Sequence, residues 1–302
     1  MTLSLIIPAH DEETTIGRCL ESLLADAHED EFEVVVVCNG CTDRTVDVAR
    51  SFEPGATVIE INRASKYLAL REGDRRASGF PRFYIDADVI TSAQAVRDVA
   101  TVLRSGKAAV AAPRLRVDVS GRPWYVRSYY RLWTRLPYAE NGMVGTGFYA
   151  LSEAGRSRFD EFPDIIADDQ FVLSRFDETE RCSVGSAEFV VAAPRDWRSL
   201  IYKKTRAYTG NRQLEERFGS QGARQPGGRS AWMNLIRRHP SLLPSVPVYV
   251  LVSVVAEARS RRQVRRRDFG TWERDVSTRL AKNDGRIVAQ GADTAPPRLP
   301  AR

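Results

Sequence analysis

Two pairs of aspartates could do chemistry together: Asp86 and Asp88, separated only by Ala87, and the adjacent Asp168-Asp169. Asp86-Ala87-Asp88 follows the apolar stretch Phe83-Tyr84-Ile85. Carboxylates at the mouth of a buried strand are costly unless something positive meets them. A hard divalent cation that also grips phosphate oxygens would do so. A helix cap or a salt-bridged surface turn accounts for the same three residues. Asp168-Asp169 follows Ile165-Ile166-Ala167 and precedes Phe171-Val172-Leu173. Adjacent like charges raise each other's pKa, which helps to make a proton acceptor near neutrality. Acids in the first turn of a helix are the structural alternative. Arg206, with Lys203, Lys204 and Arg212, offers cations for a diphosphate or simply a solvated face.

These residues act together only if the fold returns them to one place. Apolar runs at residues 3–7, 33–37, 57–61, 82–85 and 108–112 predict strands. Helical spacing lies between them, as in Ile16, Leu20, Leu23 and Leu24, or Val96, Val99, Val102 and Leu103. The alternation predicts an α/β fold with right-handed crossovers, a mostly parallel, Rossmann-like sheet and helices on both faces. The run 34–37 shows no polar alternation, as expected of a strand covered on both sides. Ligands of such sheets sit beyond the carboxyl ends of the strands. Pro8-Ala9-His10-Asp11-Glu12 follows the first strand, and Cys38-Asn39-Gly40-Cys41-Thr42-Asp43 the second. Taken alone, the first is acid at a helix start and the second a tight turn with a cap. Further strands are expected at 145–151 and 188–192, with an aromatic-rich segment at 122–138 between the two halves.

Of 302 residues, 43% are hydrophobic and 28% charged, an ordinary globular balance, yet the net charge of +6 conceals a division. Residues 1–194 carry 22 basic against 30 acidic side chains, and residues 195–274 carry 18 against 6. That asymmetry does not fit a uniformly basic nucleic-acid binder, so no nucleic acid is expected as partner. Four cysteines are too few for a disulfide scaffold and suit a reducing cytosol. Cys38 and Cys41 could form a redox pair. The turn made by Asn39-Gly40 explains their spacing better. Three scattered histidines argue against a histidine-based zinc site. The run 3–7 is too short for a signal-peptide core.

In their order and spacing these pieces resemble the family-2 inverting glycosyltransferases of the GT-A fold. Leu5-Ile6-Ile7-Pro8-Ala9-His10-Asp11-Glu12 is similar to that family's opening strand, and Val35 to Asp43 to its second strand and nucleoside-binding turn. Asn62-Arg63-Ala64-Ser65-Lys66 falls at the third post-strand loop, and Tyr84-Ile85-Asp86-Ala87-Asp88 matches the Asp-X-Asp motif. Gly145-Thr146-Gly147-Phe148 and Ala167-Asp168-Asp169 match the acceptor strand and the acidic pair. The resemblance implies that Pro8, Ala9 and Glu12 border the nucleobase and ribose, and that Asn39 faces the base edge with Lys66 nearby. It implies that Asp86-Ala87 meets the donor, and that Asp88, with Asp86, ligates Mg²⁺ or Mn²⁺. Arg206 would help to hold the diphosphate. Asp169, with Asp168 as second choice, would take the proton from an acceptor hydroxyl. Asn39 stands where Asp is usual, the acidic pair is Asp-Asp instead of Glu-Asp, and the Gln-x-x-Arg-Trp signature of polymer synthases is absent. Transfer of a single sugar is therefore the expectation.

The expected organisation is a catalytic GT-A domain over 1–215, a basic and apolar helical extension over 216–284, and a disordered tail over 285–302. Residues 219–230 read as a loop. The apolar run 242–256 is short for a membrane span and contains Pro244 and Pro247. Residues 259–267 then carry six arginines. The run is a core helix with a solvated basic end, a true span, or a peripheral attachment to an anionic inner membrane face; attachment would bring a lipid-linked or cell-envelope acceptor within reach. Two rivals remain. A sugar-phosphate nucleotidyltransferase would carry a Gly-rich basic loop after its first strand, where this chain has Pro8–Glu12. A non-catalytic scaffold would have no need of all four aspartates.

Overall fold

A computed structural model describes residues 2–136, 147–219 and 229–266. Its eight strands are β1 (Leu3–Ala9), β2 (Phe32–Asn39), β3 (Thr57–Ile61), β4 (Arg82–Ile85), β5 (Val89–Thr91), β6 (Val110–Asp118), β7 (Phe148–Leu151) and β8 (Arg181–Ala192). They form one sheet in the order β3-β2-β1-β4-β7-β6-β8-β5. The β3-β2-β1-β4 half is parallel throughout, β6 pairs parallel with β8, and β7 and β5 run antiparallel to their neighbours. A mostly parallel sheet with helices on both faces is what the sequence predicts.

The helices are α1 (Ile16–Leu24), α2 (Thr45–Arg50), α3 (Lys66–Arg76), α4 (Ala93–Arg104), α5 (Trp124–Trp133), α6 (Glu153–Arg156), α7 (Asp168–Leu173), α8 (Trp197–Phe218), α9 (Arg229–Arg238) and α10 (Val246–Arg265). Every residue of β1 is buried. Successive side chains point to opposite faces. Leu3, Leu5, Ile7 and Ala9 accordingly enter the core under α1 and α4, and Ile6 the opposite core with Leu70 of α3. The i, i+3, i+4, i+7 set Ile16, Cys19, Leu20 and Leu23 seats α1 on the first face. Ser65, Ser92 and Asp196 cap α3, α4 and α8 by accepting a backbone N–H three residues on.

The strands expected at 57–61 and 82–85 occur with those bounds. The strand expected at 108–112 overlaps only the start of β6, which begins at Val110, and that expected at 188–192 is the end of the longer β8. β5 has only three residues, too few for a periodic signal, and had no counterpart in the sequence reading. The expected loop at 219–230 and the tail at 285–302 lie almost wholly outside the described residues.

The prolines do not interrupt the apolar run near the carboxyl end. Pro244 lies in a 3-10 turn, Pro240–Ser245. Pro247 sits in the first turn of α10, where a missing N–H breaks no helical bond. The 20-residue helix that follows extends about 30 Å. Val252, Ala256 and Ser260 face inward. Arg212 of α8 ion-pairs with Glu257 and donates to Ser260 Oγ (3.1 Å), and Thr209 Oγ1 donates to Gln263 Oε1 (2.9 Å). Tyr249 stacks on Tyr129 of α5, with centroids 5.5 Å apart. The outer face of α10 keeps Val250, Leu251 and Val254 at 44%, 52% and 60% exposure, and Leu243 in the preceding turn is 56% exposed.

Candidate functional site

The carboxyl ends of β1, β2 and β4 converge with the starts of α3 and α7. Lys66, the first residue of α3, reaches across them: its Nζ lies 2.7 Å from Asp86 Oδ1 and 3.1 Å from Asp168 Oδ1. The two carboxylate pairs, 82 residues apart in sequence between Asp86 and Asp168, thus meet at one ammonium. Burial works against the charge on Lys66, but Asp168 and Asp86 hold it above the ordinary lysine range.

The members of the acidic pair differ. Asp168 is buried, its Oδ1 on Lys66 and its Oδ2 accepting from Tyr149 Oη at 3.4 Å. Asp169 is half-buried and, among the described residues, accepts only through Oδ1, from the Gln170 N–H (2.8 Å). Burial, then the Asp168 charge, pushes Asp169 up to about 6, against the pull of Lys66. Among the described residues, the second oxygen of Asp169 accepts no hydrogen bond.

Gly147 explains how Asp86 fits. Its φ is +73°, and a Cβ there would stand 2.6 Å from Asp86 Oδ2. The Gly147 carbonyl also accepts the Asp86 N–H at 2.7 Å. Gly147→Ala is expected to cost about 2–4 kcal/mol from strain and forced displacement of Asp86. Thermal unfolding and nucleotide titration of the variant check this; unchanged values for both would exclude the close approach.

At the other sequence-predicted positions the side chains differ in what they face. Pro8 and Ala9 end β1 against Val37 and Cys38. Asn39 is buried, its Nδ2 donating to the Ala9 carbonyl (2.7 Å) and its Oδ1 accepting the Ser65 N–H (2.9 Å). Its amide thereby ties the three post-strand loops together. Glu12 is buried, and its Oε2 accepts from Thr15 Oγ1 at 2.6 Å. Ala87 turns into the core beneath α1. The Cys19 thiol is raised far above its ordinary value by burial, then by the charges of Asp88, Asp86 and Glu12.

Among the described residues, Asp88 has no hydrogen-bond or ion-pair partner for its half-buried carboxylate. An unpartnered carboxylate beside Asp86, with an all-oxygen donor set, suits a hard divalent cation. His10, Asp11 and Cys41 form a separate group of ligand-type atoms, within 4.8 Å of one another. Spacing gave no sign of it, because Cys41 comes from the second post-strand turn. Cys41 Sγ donates to the Ala9 carbonyl at 3.6 Å, and the neighbouring Cys38 lowers the Cys41 thiol.

A cavity of about 250 Å³ opens beside the carboxylates, with Lys66, Asp86, Asp168 and Asp169 at one end. Lys203, Lys204 and Arg206 of α8 reach it from another side. Burial lowers Lys204 to about 8. Its ammonium stands 4.6 Å from the Tyr208 ring centroid. The basic segment of the sequence thus folds back onto the acidic domain.

The profile of glycosyl transferase family 2 matches residues 4–158, just over half of the chain, including β1 to β4 and the Asp-X-Asp motif. The chain belongs to glycosyl transferase family 2. It is 30% identical over 110 residues to the glycosyltransferase AglE of Haloferax volcanii, covering 34% of this chain and 36% of that protein. It is 42% identical over 94 residues to the 4,4'-diaponeurosporenoate glycosyltransferase of Staphylococcus aureus, covering 29% and 24%. The matches thus span about a third or less of these relatives. The fold is similar to that of a Pyrobaculum calidifontis mannosyltransferase in complex with GDP-Man and Mn²⁺, with TM-score 0.59, 18% identity and coverage of 88% and 79%. It is also similar to glucosyl-3-phosphoglycerate synthase from Mycobacterium tuberculosis in complex with Mn²⁺ and UDP-glucose, with TM-score 0.52, 22% identity and coverage of 72% and 79%.

Proposed function

We propose that this family-2 chain is a metal-dependent inverting glycosyltransferase that moves one sugar from a nucleoside-diphosphate sugar to an acceptor hydroxyl. The observation that carries the reading is the convergence of Asp86 and Asp168 on Lys66, with Asp169 beside them. Asp88 and Asp86 would hold Mg²⁺ or Mn²⁺. When bound, the ion would neutralise charge on the departing diphosphate. The GDP-Man and UDP-glucose complexes with Mn²⁺ of the two similar structures support such a donor and ion.

Asp169 takes the acceptor proton while the acceptor oxygen forms its bond to the anomeric carbon from the face opposite the diphosphate. The bond from that carbon to the diphosphate breaks, its electron pair leaves on the phosphate oxygen, and the configuration inverts. Lys66 screens Asp86 and Asp168 from each other, and Lys204 and Arg206 face the charge that develops on the leaving group. Asn39 acts by positioning: its amide fixes Ala9 and Ser65, and with them the loop before Lys66. Calorimetry with UDP and GDP tests the donor and metal roles. At least one should bind roughly tenfold tighter or more with Mn²⁺ than with EDTA. Equal affinity would remove the ion.

The exposed stripe of α10 also supports peripheral attachment to an anionic membrane. Residues Pro240–Arg265 are long and apolar enough to cross a bilayer by length and composition. The ties of Glu257, Ser260 and Gln263 to α8 hold the polar half of α10 on the domain, so we read a helix lying in the interface. Its apolar stripe ends in exposed Arg261, Arg262 and Arg265, which suit anionic headgroups. Leu251→Asp with Val254→Asp should abolish co-sedimentation with phosphatidylglycerol vesicles. Undiminished sedimentation would refute attachment through this face.

A further inference from the structure

From the lining of the cavity beyond Asp169, we propose that the acceptor is an amphiphile. Its hydroxyl meets Asp169, and its apolar tail lies along the wall formed by Leu115, Val117, Tyr129, Trp133, Val191 and Leu200. The inference rests on the transferase reading and names the acceptor class.

The wall is built from both halves of the molecule. Leu115 and Val117 lie on one face of β6, while Arg114 and Arg116 alternate to the other and pair with Glu188. Val191 comes from β8, Leu200 from α8, and Tyr129 and Trp133 from α5. Four of these six residues are purely aliphatic. A sugar lying there would leave hydroxyls desolvated and unpaired against them, each a penalty. A hydrocarbon tail loses nothing by the same contact and gains from leaving water. The reactive end is fixed independently, because Asp169 lines the same cavity.

The position of the wall agrees. Tyr129 lines the cavity and stacks on Tyr249 of α10. α10 carries the exposed apolar stripe on its outer side. The tail subsite and the proposed membrane face are thus separated by one layer of helix. A bilayer under α10 would deliver an amphiphile to this wall.

Equilibrium dialysis of the full chain with radiolabelled farnesol, a prenyl alcohol, tests the subsite. Three variants serve: Leu115→Asp and Val117→Asp at half-buried wall positions, and Leu251→Asp on α10. Saturable one-site binding is expected for the unaltered chain and for Leu251→Asp. It should weaken roughly tenfold or more in Leu115→Asp and Val117→Asp. Excess D-glucose should not displace the alcohol. Equal binding by the wall variants, loss in Leu251→Asp instead, or displacement by glucose would overturn the proposal. UDP and GDP titrations with Mn²⁺ on the same samples separate the two readings. Nucleotide binding without farnesol binding removes only the amphiphile. Absence of nucleotide binding in the unaltered chain removes the transferase.

Discussion

Replacing Asp169 with asparagine is expected to lower sugar transfer roughly 10²- to 10⁴-fold, the range set by loss of a general base, while nucleotide binding with Mn²⁺ persists. The asymmetry of the acidic pair drives this expectation. Asp168 has both oxygens engaged, by Lys66 and Tyr149, whereas Asp169 engages one oxygen with a backbone N–H. Asp168→Asn should act differently: it removes an anchor of Lys66, so nucleotide binding and transfer should fall together. Donor hydrolysis, with water in place of the acceptor, reports the split. Equal transfer by Asp169→Asn and the unaltered enzyme would reassign the base.

The same substitution has a stability signature. A pKa raised to about 6 means that the fold disfavours the charged form of Asp169. That penalty is absent below the unfolded carboxylate range and fully present once pH exceeds about 6. At pH 7, Asp169→Asn should therefore gain on the order of 1–2 kcal/mol, after allowance for partial exposure. At pH 3 the gain should vanish. In the unaltered enzyme kcat/KM should fall on the acid side of about pH 6, where the base becomes protonated. Thermal melts and a pH–rate profile read both effects.

The largest loss of stability is expected at Asp74, well behind the site. Its Oδ1 accepts from Arg82 Nη1 (2.8 Å) and Tyr84 Oη (2.6 Å), and its Oδ2 from Arg156 Nε (2.8 Å). These contacts tie α3, which begins with Lys66, to β4, which leads to Asp86, and to α6. Burial opposes the Asp74 charge, but Arg156, Tyr84 and Arg82 hold its carboxyl below the usual range. Asp74→Ala leaves two arginines beside an emptied, buried position and should cost about 3–5 kcal/mol. A depressed folded pKa stabilises above the unfolded pKa, and that contribution is lost as pH falls through the folded value. The gap between the two proteins in urea unfolding should be full at pH 7 and narrow below about pH 4. A gap below 1 kcal/mol at pH 7 would show that the network is dispensable.

The sheet and the rim of the site were legible because post-strand positions are marked by a local pattern. The all-buried runs of β1 and β2 and the acids after β4 can be found without knowing what faces them. What a side chain faces was not legible. Asn39 looks like a ligand group until Ala9 and Ser65 are seen to engage both ends of its amide. The need for Gly147 comes from Asp86, which lies far away in sequence. The Asp74 network joins residues separated by 82 positions, between Asp74 and Arg156, with no local signature. The outward apolar face of α10 escaped because composition reports how apolar a helix is, and only packing against α8 and α5 shows which side remains outside.

The claim on which the account depends is that Asp86, Asp88, Asp168 and Asp169 form one site for a cation and a diphosphate. Anomalous diffraction from crystals grown with Mn²⁺ and UDP or GDP tests it most directly. The account predicts a manganese peak on the Asp88 carboxylate, with the nucleotide diphosphate beside it and Asp169 facing the same cavity. A peak at His10, Asp11 and Cys41, with Asp88 bare, would contradict it.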